Sequence, residues 1–152
     1  MQVNEAMCSD VKIANPNQPI REAARMMAKI DAGMLPVGEN DRLVGVITDR
    51  DIAIRGVAAD MGPDTPIRQV MSTEVKYCFE SDDVDEVARN MADLKVRRLP
   101  VLDGKKRLVG IISLADIALN DGPDNVGNAL CGISEPGGAH SQSLDGGRMA
   151  QH

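Results

Sequence analysis

Thr48-Asp49-Arg50-Asp51 and Ser113-Leu114-Ala115-Asp116 each set a hydroxyl and a carboxylate three residues apart, directly after an apolar run (LVGVI, 43–47; LVGII, 108–112). An ionised aspartate can accept two hydrogen bonds from the vicinal hydroxyls of a ribose, which few neutral side chains do as well. A hydroxyl three residues earlier falls at a helix N-terminus, where unpaired N–H groups and the positive end of the dipole favour phosphate. The apolar run offers a dry wall to a planar base. The same spacing also has the form of a capping box, and Asp is favoured in a first helical turn for dipole reasons alone. Both readings can hold at once, because the hydroxyl can cap while the aspartate faces a ligand.

Other chemistry has little footing. The only histidines, His140 and His152, lie near the C-terminus, so His-based acid–base catalysis is not expected of the folded region. No G-x-x-x-x-G-K-[ST], GxGxxG or HExxH pattern is present; DGKKR (103–107) reads as a turn. Cys78 falls within a predicted strand and reads as a small buried apolar residue rather than a nucleophile. The Met pairs sit at core spacing and read as packing.

The elements that position these turns occur twice. Leu43–Arg55 and Leu108–Asn120 share seven of thirteen residues, and Val11–Val37 aligns without gaps on Val75–Val101 with ten of 27 identical. Self-similarity on this scale marks a duplicated unit. Each copy opens on a short strand, near Val11–Ala14 and Val75–Phe79. A helix follows, with Ile20, Ala23, Ala24, Met27 and Ile30 on one face, and Val84, Val87, Ala88, Met91 and Leu94 on the other copy's. Pro19 suits a helix start, and Asp83 with Glu86 predicts a capping box. Next come the strands MLPV and RLPVLD, a polar turn, and the runs LVGVI and LVGII, which are expected to be buried on both faces. A second helix closes each copy, from about Asp49 to Ala59 and from about Leu114 to Asn120. The order is β-α-β-β-α. The expected division is 7–60 for the first repeat, 61–70 for a linker, 71–120 for the second repeat and 121–152 for a Gly/Ser-rich tail. That tail is read as flexible or partly helical, with a short helix around 126–133.

Composition narrows the partners. The 152 residues carry a formal charge of −6, one Tyr, one Phe and no Trp, so the core is aliphatic with nine Met contributing. Duplex binding draws on phosphate neutralisation by Lys and Arg, and single-strand binding on aromatic platforms; neither is supplied, so nucleic acid is not an expected partner. No run of eighteen apolar residues predicts a membrane span, and MQVNEAMCSD does not resemble a secretory signal. Three widely spaced cysteines suit a reducing cytoplasm.

The LPV strands, the (L)VG(V/I)I(T/S)xxDI segments and the Met-then-Val start of each copy, taken together and in order, resemble a tandem pair of CBS (cystathionine-β-synthase) domains, a Bateman module of the stand-alone bacterial type. The resemblance covers Met7 to Asn120. It implies an α/β (α+β) fold of two β-α-β-β-α repeats, packed sheet to sheet with pseudo-two-fold symmetry. It implies adenosine-containing ligands (AMP, ADP or ATP, with S-adenosylmethionine or NAD as further choices) in clefts between the repeats, with no metal required. Ribose and phosphate would fall to Thr48 and Asp51 in one copy and to Ser113 and Asp116 in the other. By the same resemblance Asp51 would face Arg97 or Arg98, with Arg50 nearby, forming a cationic pocket for a phosphorylated nucleotide. Asp116 would face Gly33 and Met34, a roomier, more apolar pocket for a less charged adenosyl ligand. Arg97 and Arg98 also read simply as basic residues at a solvated helix end. Family modules pair into flat dimers, so a homodimer is implied.

The expected function is that of a regulatory sensor that is not an enzyme, signalling ligand occupancy to a partner protein because no catalytic or transport domain is attached. An alternative is a protein-interaction or dimerisation module whose clefts are vestigial. A nucleotide hydrolase or transferase is disfavoured for want of an acid–base pair.

Overall fold

A computed structural model describes residues 1–135, and the chain in it folds as two compact units. The first comprises Ser9–Tyr77 and Leu102–Gly110; the second comprises Met1–Cys8, Cys78–Val101 and the described residues from Ile111 on. In the first unit, α1 (Ile20–Ile30) precedes the strands β1 (Met34–Glu39) and β2 (Arg42–Thr48), then α2 (Asp49–Asp51), which continues as a π-helix over Ile52–Val57. The second copy supplies β3 (Cys78–Phe79), α3 (Val84–Leu94), β4 (Arg98–Leu102), β5 (Leu108–Ser113) and α4 (Leu114–Asp121), followed by α5 (Asp124–Ser134). No helix among the described residues is long and apolar enough to cross a membrane.

Apolar spacing explains the helices. Ile20, Ala23 and Met27 of α1 and Val84, Val87, Ala88 and Met91 of α3 are buried. Both helices stop at a residue in the left-handed conformation, Asp31 (φ 54°) and Lys95 (φ 57°). The β1–β2 hairpin turns on Asn40 and Asp41, both at positive φ, as a tight hairpin turn demands. Its register pairs Met34 with Thr48 and Val37 with Gly45, so the end of β2 lies beside the residues ahead of Leu35-Pro36-Val37. The first unit's core gathers Ile20, Met27, Leu35, Val37, Ile47 and Ile67. In the second unit, Val3, Val84, Met91, Leu99, Ile112 and Ile117 are buried.

Several expectations need correction. Val11–Ala14 forms no strand; only Ala14 pairs, in a single bridge to Val37, while Ile13 is 45 % exposed. Of Val75–Phe79, only Cys78–Phe79 is a strand, and Tyr77 stays 42 % exposed. β2 and β5 are not buried on both faces: Gly45, Ile47, Gly110 and Ile112 are buried, but their neighbours are half-buried. The β1–β2 pair is antiparallel, and such pairs commonly cover one face only. Asp83 caps α3 by accepting from Asp85 N–H at 2.9 Å, without the reciprocal Glu86 bond. There the chain start intervenes, with Val84 N–H donating to the Met1 carbonyl at 3.0 Å. Ala24, Ile30 and Leu94, expected on core faces, are exposed. The short helix expected around 126–133 is present as α5, Asp124–Ser134, and residues 136–152, with both histidines, lie outside the described residues.

Each unit is completed by the segment that leads into the other repeat. Ser72, ahead of the second repeat, pairs with Val46 of β2 through bonds of 2.9 and 3.0 Å. Cys8, ahead of the first, pairs with Ile111 of β5 through bonds of 2.8 and 2.9 Å. The short 3-10 turns Val3–Glu5 and Ile67–Gln69 occupy matching places in the two lead-ins. Repeat boundaries and compact units therefore do not coincide.

Cys78 is buried, and burial with the nearby Asp82 charge pushes its thiol up to about 12. The native thiol therefore resists alkylation at pH 8, while the unfolded chain reacts. Mass spectrometry after iodoacetamide treatment is expected to find Cys78 unmodified in folded protein and modified in denaturant. Because the folded thiol holds its proton longer, its contribution to stability is complete below the unfolded value near pH 9. It declines as pH rises toward 12.

Candidate functional site

The two hydroxyl–aspartate turns have the same geometry. Thr48 and Ser113 both adopt φ −118°, ψ 163°, the extended conformation of an N-cap. Thr48 Oγ1 accepts from Asp51 N–H at 3.0 Å, and Asp51 Oδ2 accepts from Thr48 N–H at 3.0 Å. Ser113 Oγ accepts from Asp116 N–H at 3.1 Å, and Asp116 Oδ2 accepts from Ser113 N–H at 2.9 Å. Both are thus complete capping boxes. Capping engages only one oxygen of each carboxylate; Oδ1 of Asp51 and of Asp116 has no hydrogen-bond partner among the described residues. A half-buried carboxylate with a free oxygen, held in place by its own cap, can still accept from a sugar hydroxyl.

The residue two positions ahead of each Leu-Pro-Val strand abuts the turn of its own repeat. Asp49 N–H donates to the Gly33 carbonyl at 2.9 Å, and Leu114 N–H to the Arg97 carbonyl at 3.0 Å. Gly33 and half-buried Met34 therefore stand beside Thr48 in the first unit, and Arg97 beside Ser113 in the second. Arg50, Arg97 and Arg98 are exposed.

Gly33 is not beside open apolar space. A Cβ added there would lie 2.9 Å from Asp49 Oδ2, so the absent side chain makes room for a carboxylate. Asp49 also accepts from Arg50 N–H at 2.8 Å. The Gly33 shoulder is acidic and the Arg97–Arg98 shoulder basic. Sequence reading missed Asp49 as a component of the site, although the contrast of Asp49 with Leu114 was its signal. It also missed Arg55, whose Nη1 donates to the Met71 carbonyl at 3.1 Å. The π-helix after Asp51 carries Arg55, whereas Asn120, its counterpart, bonds back to the Asp116 carbonyl at 2.7 Å. Two cavities of the first unit, of about 430 and 240 Å³, are lined by neither Thr48 nor Asp51.

The CBS domain family model matches residues 3–56 and again 67–120, spanning both turns. The chain belongs to the CBS domain family. Among relatives of this CBS pair, the CBS domain-containing protein YhcV of Bacillus subtilis is 39% identical over 133 residues, covering 87% of this chain and 94% of that one. Several solved structures share the fold. Hypoxic Response Protein I, with two coordinated zinc ions, superposes with a TM-score of 0.72 at 34% identity, over 79% of this chain and 98% of that one. The CBS domain pair of protein MJ0100, in complex with 5′-methylthioadenosine and S-adenosyl-L-methionine, does so with a TM-score of 0.71 at 31% identity, over 80% and 96%.

Proposed function

We propose that this CBS pair is a regulatory module that binds adenosine-containing ligands at its two hydroxyl–aspartate turns and passes occupancy to a partner protein. One observation carries the reading: both capping boxes leave a carboxylate oxygen free, in a chain whose structural relative MJ0100 holds two adenosyl ligands. Asp51 and Asp116 accept ribose hydroxyls. The exposed Arg50, one residue before Asp51, neutralises phosphate on the ligand of Asp51. The Asp116 turn carries Leu114 and Ala115 where the Asp51 turn carries Asp49 and Arg50, and it takes a less charged adenosyl ligand. The module works as a homodimer.

A thermal-shift panel of AMP, ADP, ATP, S-adenosylmethionine, NAD and GTP tests this reading. Stabilisation by adenine but not guanine ligands is expected; no shift with any of them would sink it. Because Hypoxic Response Protein I coordinates zinc, each ligand is run with zinc and with chelator. Among the described residues no three His, Cys, Asp or Glu side chains are gathered to hold a metal ion.

The interaction-module reading is favoured by one observation, the apolar exposure of Ile54 (53 %) and Val57 (68 %) in the π-helix.

A further inference from the structure

The turns of the two hairpins, 40–41 and 103–107, meet in the first unit, and cations collect there. Leu108 N–H donates to the Asp41 carbonyl at 3.4 Å, and an antiparallel bridge sets Arg42 directly opposite Arg107. Like charges so placed repel. Asp103 relieves only one of them. Its Oδ2 accepts from Arg107 Nε at 3.0 Å, while Oδ1 accepts from the N–H groups of Lys105 and Arg107 at 2.8 and 2.9 Å. Among the described residues, Arg42 and Lys106 form no ion pair. Both line the cavity of about 240 Å³, together with Thr73, Tyr77 and the apolar Val44, Val75 and Leu102, and no acid lines it. The duplication shows that the hairpins do not need this arrangement to fold. At the equivalent positions of the other copy, Ile13 replaces Tyr77, Asp41 replaces Lys106 and Gly38 replaces Leu102. Ile13 there closes onto Gly38, where an added Cβ would lie 2.9 Å from Ile13 Cγ2.

We propose that this cavity binds a small phosphate-bearing molecule, at a site separate from the hydroxyl–aspartate turns. The Arg42 guanidinium presents a fork that matches phosphate oxygens, and Lys106 adds a point charge. The Thr73 hydroxyl can donate to a further oxygen. Val44, Leu102 and the Tyr77 ring supply an apolar wall for whatever carries the phosphate. The volume lies below the roughly 300 Å³ at which pockets for drug-sized ligands begin, so the ligand is small. Arg42 and Thr48 stand at opposite ends of β2, about 20 Å apart at roughly 3.3 Å per residue. The cavity and the Asp51 turn therefore hold separate ligands, and the inference stands without the adenosyl reading above.

Isothermal titration calorimetry on the full chain with inorganic phosphate, pyrophosphate and phenyl phosphate tests it. Saturable binding is expected for the wild-type protein. The tightest of the three names the source: phenyl phosphate an organic phosphate, the other two free phosphate or its chains. Arg42→Gln and Lys106→Asn are each expected to weaken binding about ten-fold, the loss of one charge-assisted bond. Asn tolerates the left-handed conformation of Lys106 (φ 62°). Both residues are exposed, and either variant serves if circular dichroism shows that the other does not fold. Lys105→Gln, a turn cation outside the lining, and Asp51→Ala are expected to bind as wild type does. Loss of binding in Asp51→Ala would put the phosphate at the turn and overturn the site. Wild-type affinity in a folded Arg42 or Lys106 variant, equal weakening by Lys105→Gln, or no saturable binding of any probe would overturn it as well.

Discussion

Asp51→Ala is expected to remove the thermal stabilisation that phosphorylated adenine nucleotides confer on the wild-type protein. A ligand at about a hundred times its dissociation constant adds roughly 2.7 kcal/mol to a protein that binds it only when folded. For a chain of this length that is a rise in Tm of about 5–10 °C. The variant also removes one of the two capping-box bonds, that of the Asp51 carboxylate to Thr48 N–H, at a cost of about 0.5–1.5 kcal/mol that lowers Tm with no ligand present. Asp51→Asn separates the two effects. Its side-chain oxygen can still accept from Thr48 N–H, so the unliganded Tm should stay near wild type while the nucleotide shift is lost. Asp116→Ala is expected to spare the ATP shift and to weaken that of S-adenosylmethionine. Equal losses of ATP binding in both alanine variants would refute the difference between the two turns. Retention of every shift in both would remove the turns from ligand binding altogether.

The second large effect is structural. Gly45→Leu is expected to destabilise the fold by about 1–3 kcal/mol, a fall in Tm of roughly 3–10 °C. A Cβ at Gly45 would lie 2.8 Å from Met71 Sδ and 2.8 Å from the Ser72 carbonyl oxygen. Methionine can move aside, but the Ser72 carbonyl is backbone, bonded to Val46 N–H at 3.0 Å. Relief of the clash must therefore separate the lead-in segment from β2. Gly62→Ala, with nothing within 4 Å of the added atom, is the matched control and should be near neutral. A Gly45→Leu protein as stable as the control would mean that the lead-in is not seated on β2 as described.

Which parts were legible in the sequence follows from the range of the forces involved. The α1 and α3 helices were readable because apolar residues at helical spacing mark them locally, as Ile20, Ala23 and Met27 do. Thr48/Asp51 and Ser113/Asp116 were readable because a capping box is written within four residues. The duplication itself was plain from identity at a fixed offset. Ala24 was misplaced because its burial depends on whether another helix covers it. Its counterpart Ala88 has that cover and Ala24 does not, a difference that lies outside the periodicity of either helix.

The sequence by itself therefore determined two repeats of one unit, their helices and hairpin strands, and two identical caps that each carry an aspartate. Only the tertiary structure decided that each lead-in pairs with the strand of the other repeat. Backbone N–H and C=O groups make those bonds, and they are the same at every residue, so no side chain announces them. It likewise decided that Asp49 fills the space Gly33 leaves, and that α5 covers α3 but not α1. Those are contacts between segments far apart in the chain, set by which surfaces are left to bury once the local elements have formed.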